Sequence, residues 1–266
     1  MAVAVTVLAS GSRGNCTVIA SNGTRILVDA GLSCRETFKR LQAVGEEPRA
    51  LSGIIISHEH SDHVNGLPGL IKKLNVPVYM TGATRHAWKR SLRDSGIKCD
   101  PEKFEEFFSG HSFSIGDVNI TPFTVPHDAA DPVGFTFRAQ GVKIALVTDL
   151  GYMPASVRQH IRGCDALILE SNHDLEMLRG GPYPWVVKQR VMSRVGHLSN
   201  EALAEFFSND YDGNAAFVVL AHLSEHNNHP EVARAAAEHA LAPRRTLLHN
   251  RVMLASQATP LDSIRF

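Results

Sequence analysis

His58, His60, Asp62 and His63 fall within six consecutive positions, in Ser57-His58-Glu59-His60-Ser61-Asp62-His63. They directly follow Gly53–Ile56, a short apolar run of the kind that forms a buried strand. In extended chain, alternate side chains face the same way, so His58 and His60 can grip one ion together. Asp62 and His63 come where the chain turns into a helix and can serve a second position nearby. Imidazole and carboxylate suit Zn²⁺, Mn²⁺ and related divalent ions. Three further residues end apolar strands: His127 after Val118–Val125, Asp149 after Lys143–Val147, and His222 after Ala215–Ala221. One rim of a sheet would collect them all. The expected division gives His58, His60 and His127 to one ion, Asp62, His63 and His222 to another, with Asp149 bridging. A pair of ions about 3.5–4 Å apart can hold a bridging hydroxide at neutral pH.

The chain has 266 residues, 44% hydrophobic and 20% charged, which excludes disorder and allows a sizeable core. Lys+Arg and Asp+Glu are both 27, which excludes a globally basic nucleic-acid wrapper but not a local basic groove. Cys16, Cys34, Cys99 and Cys164 form no CxxC pair, against a disulfide framework or thiolate zinc site. The N-terminus lacks a basic segment before its short apolar run, and no stretch approaches the about 20 apolar residues of a membrane span. A cytoplasmic protein with no membrane contact is expected; its oligomeric state is not legible.

Asn22-Gly23 between apolar runs predicts an early hairpin. Further strands are expected near 53–57, 76–80, 112–115, 118–125, 134–138, 143–147, 166–170, 215–221 and 246–248. Helices are expected near 33–44, 64–74, 84–92, 154–161, 185–195, 200–209 and 230–240. Strands mixed with helices, without strict βαβ alternation, predict two packed sheets with helices outside. No linker is visible, so one domain over 1–266 is expected, with a peripheral tail from about 255.

The set His58-x-His60-x-Asp62-His63, His127, Asp149 and His222 resembles, in order, the ligand motifs of the metallo-β-lactamase superfamily. The resemblance implies an α+β fold, a four-layer αβ/βα sandwich, and metal-dependent hydrolysis. Ser10-Gly11-Ser12-Arg13-Gly14-Asn15 is similar to the opening SGSxGN of the YycJ/WalJ nuclease group, itself similar to RNase Z and RNase J. A glycine-rich turn exposes backbone N–H groups, and Ser12 and Asn15 are candidates to meet a phosphate. Similarity to RNase Z implies that His197 acts as general acid, oriented by Glu170, with Asp62 also in the catalytic set. Similarity to the same group makes His173, Ser199, Ser224 and Asn227 candidate substrate contacts. Ser199 reads equally as a helix N-cap.

Arg179, Lys188, Arg190 and Arg194 precede His197 with no acid among them, and Arg85, Lys89 and Arg93 share a helix spacing. Such stripes can neutralise phosphates. Trp88 and Trp185 are more typical of core or rim than of base stacking. The expected function is a dinuclear metal phosphodiesterase, a DNA exonuclease, with DNA ahead of RNA as substrate. Two divalent ions per chain are expected, Zn²⁺ or Mn²⁺, with Fe²⁺ also compatible. The alternatives are hydrolysis of a small cyclic phosphodiester, lactone or thioester, and a non-catalytic DNA-binding module.

Overall fold

The computed structural model describes residues 3–101, 103–244 and 250–266. The first half carries β1 (Ala4–Ala9), β2 (Cys16–Ser21), β3 (Thr24–Val28), α1 (Cys34–Ala43), β4 (Gly53–Ile55), α2 (Ser61–Val64), α3 (Leu67–Lys73), β5 (Val78–Met80), α4 (Gly82–Asp94) and β6 (Phe104–Glu106). The second carries β7 (Phe113–Ile115), β8 (Val118–Thr124), β9 (Val133–Ala139), β10 (Val142–Val147), α5 (Ala155–Ile161), β11 (Ala166–Glu170), α6 (Leu175–Gly180), α7 (Trp185–Val191), α8 (Asn200–Asn209), β12 (Phe217–Ala221), α9 (Pro230–Leu241), β13 (Arg251–Leu254) and β14 (Ile264–Arg265).

Among the described residues these strands make two mixed seven-stranded sheets, ordered β14-β1-β2-β3-β4-β5-β6 and β13-β12-β11-β10-β9-β8-β7. The alternation of side chains along each strand explains the layering. On β1, Val5 and Val7 face the other sheet, where they join Phe135, Phe137, Ile144 and Ile168, whereas Leu8 faces Leu41, Leu67 and Trp88 of the covering helices. On β11, Ile168 points between the sheets, while Leu167 and Leu169 meet Val157, Leu203 and Phe207 of α5 and α8. The central strands of each sheet are therefore dry on both faces, which gives the four-layer αβ/βα sandwich. Phe135 is fully buried between the sheets. Phe135→Ala is expected to lower stability by about 3–5 kcal/mol, read as a lower urea midpoint, because little can collapse into the space.

The helix expected over 64–74 is divided. Gly66 packs so tightly that a Cβ there would lie 1.7 Å from the Leu32 carbonyl oxygen, and α2 and α3 meet at that corner. The tail expected to be peripheral instead supplies β14, which pairs antiparallel with β1 and buries Ile264 in the core between the sheets. The strand expected over 246–248 lies outside the described residues. β13 and β6, not expected from the sequence, pair parallel with β12 and β5. All four cysteines are free. No helix among the described residues is long and apolar enough to cross a membrane.

Candidate metal centre

The site forms where strands stop. β4 runs into Ser57 and His58, and His60 is the extended N-cap residue of α2, whose first turn presents Asp62 and His63. His127 follows β8, Asp149 follows β10, Glu170 ends β11 and His222 follows β12. Asp29, Asp149 and His222 each adopt a left-handed backbone, with φ of 61°, 61° and 54°. That conformation is uncommon outside glycine, and here it turns the chain sharply just past three strand ends.

The donor atoms of His58, His60 and His127 lie within 4.8 Å of one another, and so do those of Asp62, His63, Asp149 and His222. In the first set His60 Nδ1 and His127 Nε2 are 3.2 Å apart. In the second, His63 Nε2 lies 3.4 Å from Asp62 Oδ2 and 3.3 Å from Asp149 Oδ2, and His222 Nε2 lies 3.4 Å from Asp62 Oδ2. Asp149 Oδ1 is also 4.0 Å from His127 Nε2, so this carboxylate faces both sets. The seven residues marked in the sequence are thus brought together, and Asp149 and His222 also group with Glu170 and His197.

The remaining ring nitrogens are held from behind. His63 Nδ1 donates to Asp29 Oδ2 at 2.9 Å, which turns Nε2 toward Asp62 and Asp149. The Ser57 hydroxyl binds Asp29 and touches Nδ1 of both His58 and His63. His127 Nδ1 donates to the Gly196 carbonyl at 3.1 Å. His58 Nε2 and Asp149 Oδ2 are buried without a hydrogen-bond partner. Lone pairs of imidazole and carboxylate that converge in a dry site repel unless a cation lies among them. The donor set therefore fits divalent cations, and it contains no thiolate to narrow their identity.

The electrostatics agree. Burial, reinforced by the neighbouring His63, holds the His58 imidazole well below its ordinary pKa, in the neutral form a ligand needs. Burial also lowers His127. For Asp149, burial favours the acid, but His222 and His63 outweigh it and keep the carboxylate ionised. Burial opposes the charge on His63 too, yet Asp29, Asp149 and Asp62 raise its pKa well above the usual range. A bound cation would take the place of that proton.

Glu170 and His197, whose contact no spacing could establish, meet: His197 Nδ1 lies 2.8 Å from Glu170 Oε1. Oε2 of the same carboxylate accepts from the Leu150 and Leu198 backbone N–H groups, both at 3.0 Å. Burial opposes ionisation of Glu170, but His197 and His222 bring its pKa down to about 2. Burial likewise opposes charge on His197, and Glu170 raises its pKa above the ordinary value. The His197 ring sits 5.2 Å from those of both His127 and His222, with its side chain 20% exposed.

Of the residues expected to touch substrate, Ser199, Ser224, Asn227 and Asn15 have side-chain partners within the protein. Ser199 Oγ caps α8 by accepting from Ala202 N. Ser224 Oγ accepts from Asn227 N and Nδ2, bracing the loop after β12. His173 is buried, with Nδ1 unpartnered, and pairs by its backbone with Ser199. Ser12 is exposed, whereas Asn15 is buried and its amide faces Asp62 and His63. The basic stripes are largely neutralised: Arg85 and Lys89 pair with Asp100, Arg179 with Glu176, and Arg190 with Asp128. Trp88 lies in the core; Trp185 is 61% exposed. Asp29, just past β3, is a functional residue that the sequence analysis does not mark. Its signal was the one that marked Asp149, an acid just past an apolar run.

The family model described as the beta-lactamase superfamily domain matches residues 24–223. Over 234 residues the chain is 40% identical to exodeoxyribonuclease YycJ of Bacillus anthracis, with 88% of this chain and 87% of that protein covered. Over 227 residues it is 36% identical to exodeoxyribonuclease WalJ of Streptococcus pneumoniae, covering 85% and 84%. Among solved structures, the metallo-β-lactamase fold protein YhfI from Bacillus subtilis superposes with a TM-score of 0.73 over 98% of this chain and 99% of that one, at 18% identity.

Proposed function

Because the chain belongs to the metallo-β-lactamase superfamily, within the YycJ/WalJ-like nuclease group, we propose that it is an exodeoxyribonuclease working with two divalent cations in the cytoplasm. It is a metal-dependent hydrolase by family. The observation that carries the finer reading is the pair of donor sets joined at Asp149, with the Glu170–His197 pair alongside. His58, His60 and His127 would hold one cation, and Asp62, His63 and His222 the other, with Asp149 shared between them. When bound, such cations lower the pKa of water enough to supply a nucleophile at neutral pH and stabilise charge building on a phosphate. The chain's own contribution is orientation and proton delivery. Asp29, Ser57 and the Gly196 carbonyl fix which ring nitrogen faces inward. Glu170 anchors His197 at Nδ1 and keeps its Nε2 protonated, where that proton can pass to the departing deoxyribose oxygen of a cleaved strand.

The test is a turnover screen of chelator-stripped protein with Mn²⁺, Zn²⁺ or Fe²⁺ added singly. The substrates are single- and double-stranded DNA, RNA, bis-p-nitrophenyl phosphate and nitrocefin. Shortening of DNA from an end, absent without metal, is expected. Turnover of only the small esters would replace the nuclease reading with the small-substrate one. DNA binding without metal-dependent cleavage would make the chain a binding module.

A further inference from the structure

The glycine-rich loop between β1 and β2 exposes Ser12 and Arg13 but turns Asn15 inward. Asn15 is 6% exposed. Its Nδ2 lies 3.1 Å from Asp62 Oδ2 and 3.0 Å from His63 Nε2, and it also donates to the Gly11 carbonyl at 3.2 Å. Its Oδ1 accepts from Gly11 N at 2.9 Å and from Ser10 Oγ at 3.3 Å. Ser10 Oγ in turn accepts from the His222 backbone N–H at 2.8 Å. The backbone adds a second tie: Asn15 N donates to the Asp62 carbonyl at 2.7 Å, and Gly31 N donates to the Asn15 carbonyl at 3.0 Å. A Cβ on Gly31 would lie 1.7 Å from the Asp62 carbonyl oxygen, so this approach is as close as the chain permits.

Three residues of one donor set, Asp62, His63 and His222, are therefore fastened to a single short loop. The His58, His60 and His127 set shares none of these contacts. Its supports are the Gly196 carbonyl and the Ser57 hydroxyl, the latter also touching His63 Nδ1. Asp62 is also the least buried of the four donors in its set, with 19% of its side chain exposed against 0% for His63 and 3% for Asp149 and His222. Packing alone does not hold it. The Asn15 amide contacts Asp62 Oδ2, the same atom that lies 3.4 Å from both His63 Nε2 and His222 Nε2.

We propose that Asn15 is a positioning residue for the Asp62–His63–His222 half of the centre, and that the loop Ser10–Asn15 sets the affinity of that half separately from the other. This rests on the two-cation reading above, but not on the identity of the substrate. Loss of an outer partner of a ligand typically weakens metal affinity by 10–100-fold.

The experiment is calorimetric titration of Zn²⁺ into the chelator-stripped full chain, with bound metal counted by atomic emission. The unaltered protein is expected to take two equivalents. Asn15→Ala is expected to weaken one equivalent by about 10–100-fold and leave the other unchanged. Equal weakening of both equivalents, or of neither, would overturn the inference. Fewer than two equivalents in the unaltered protein would instead overturn the reading beneath it. If Asn15→Ala does not fold, Ser10→Ala decides, since it leaves the amide and removes its lateral support. A smaller loss confined to one equivalent supports the proposal, and two unchanged equivalents refute it.

Discussion

Asp149→Asn is expected to lower metal-dependent hydrolysis by about a thousandfold or more. The substitution preserves size and a residue type that accepts left-handed backbone, so the turn after β10 should persist. What disappears is the one charge that faces both donor sets, from Oδ2 toward His63 and from Oδ1 toward His127. Metal-ion catalysis contributes several kcal/mol of charge stabilisation, and each 1.36 kcal/mol is about tenfold in rate. Bound metal should fall below that of the unaltered protein while the thermal transition remains cooperative. Activity within about tenfold of the original would show that Asp149 does not join the two halves.

His197→Ala is expected to cost about 10²–10⁴-fold in turnover with bound metal unchanged, the range for loss of a positioned general acid. The pH profile supplies a sharper check. Burial lowers the His197 pKa and Glu170 more than restores it, so the net direction is upward. An acid works while protonated; the rate should therefore hold through neutrality and fall as pH rises through that raised value. Glu170→Gln removes the restoring charge, lowers the pKa and moves the alkaline fall to lower pH. Since Glu170 also lies 2.8 Å from His222 Nδ1, metal content must be measured on the same samples. An alkaline limb that stays in place in Glu170→Gln with full metal would remove His197 from the role of acid.

The ligand cluster at 58–63 was legible because its spacing is local: extended backbone and the first turn of α2 settle the directions of four side chains within six residues. His127, Asp149 and His222 were legible through a weaker rule, that a polar residue just past an apolar strand lies at a rim. The two sheets with outer helices followed from the same apolar runs. Contacts between distant loops were beyond reach. Nothing in the distance from Glu170 to His197 says that they touch. Asn15 looked like a phosphate contact because a glycine-rich turn exposes amides; its burial under Gly31 depends on how α2 returns to β3. β14 escaped notice because a two-residue strand has no periodicity, and it forms only because β1 offers an open edge.

The left-handed corners at Asp29, Asp149 and His222 have one more consequence. Non-glycine residues there are strained by about 1–3 kcal/mol each, and the flanking strands hold the strain whether or not the side chain does any chemistry. Glycine at any of the three would relax the backbone while silencing the centre. The scaffold and the reaction are therefore separable inheritances. A lineage can exchange the residues at these bends, and with them whether the centre works, without having to invent a new architecture.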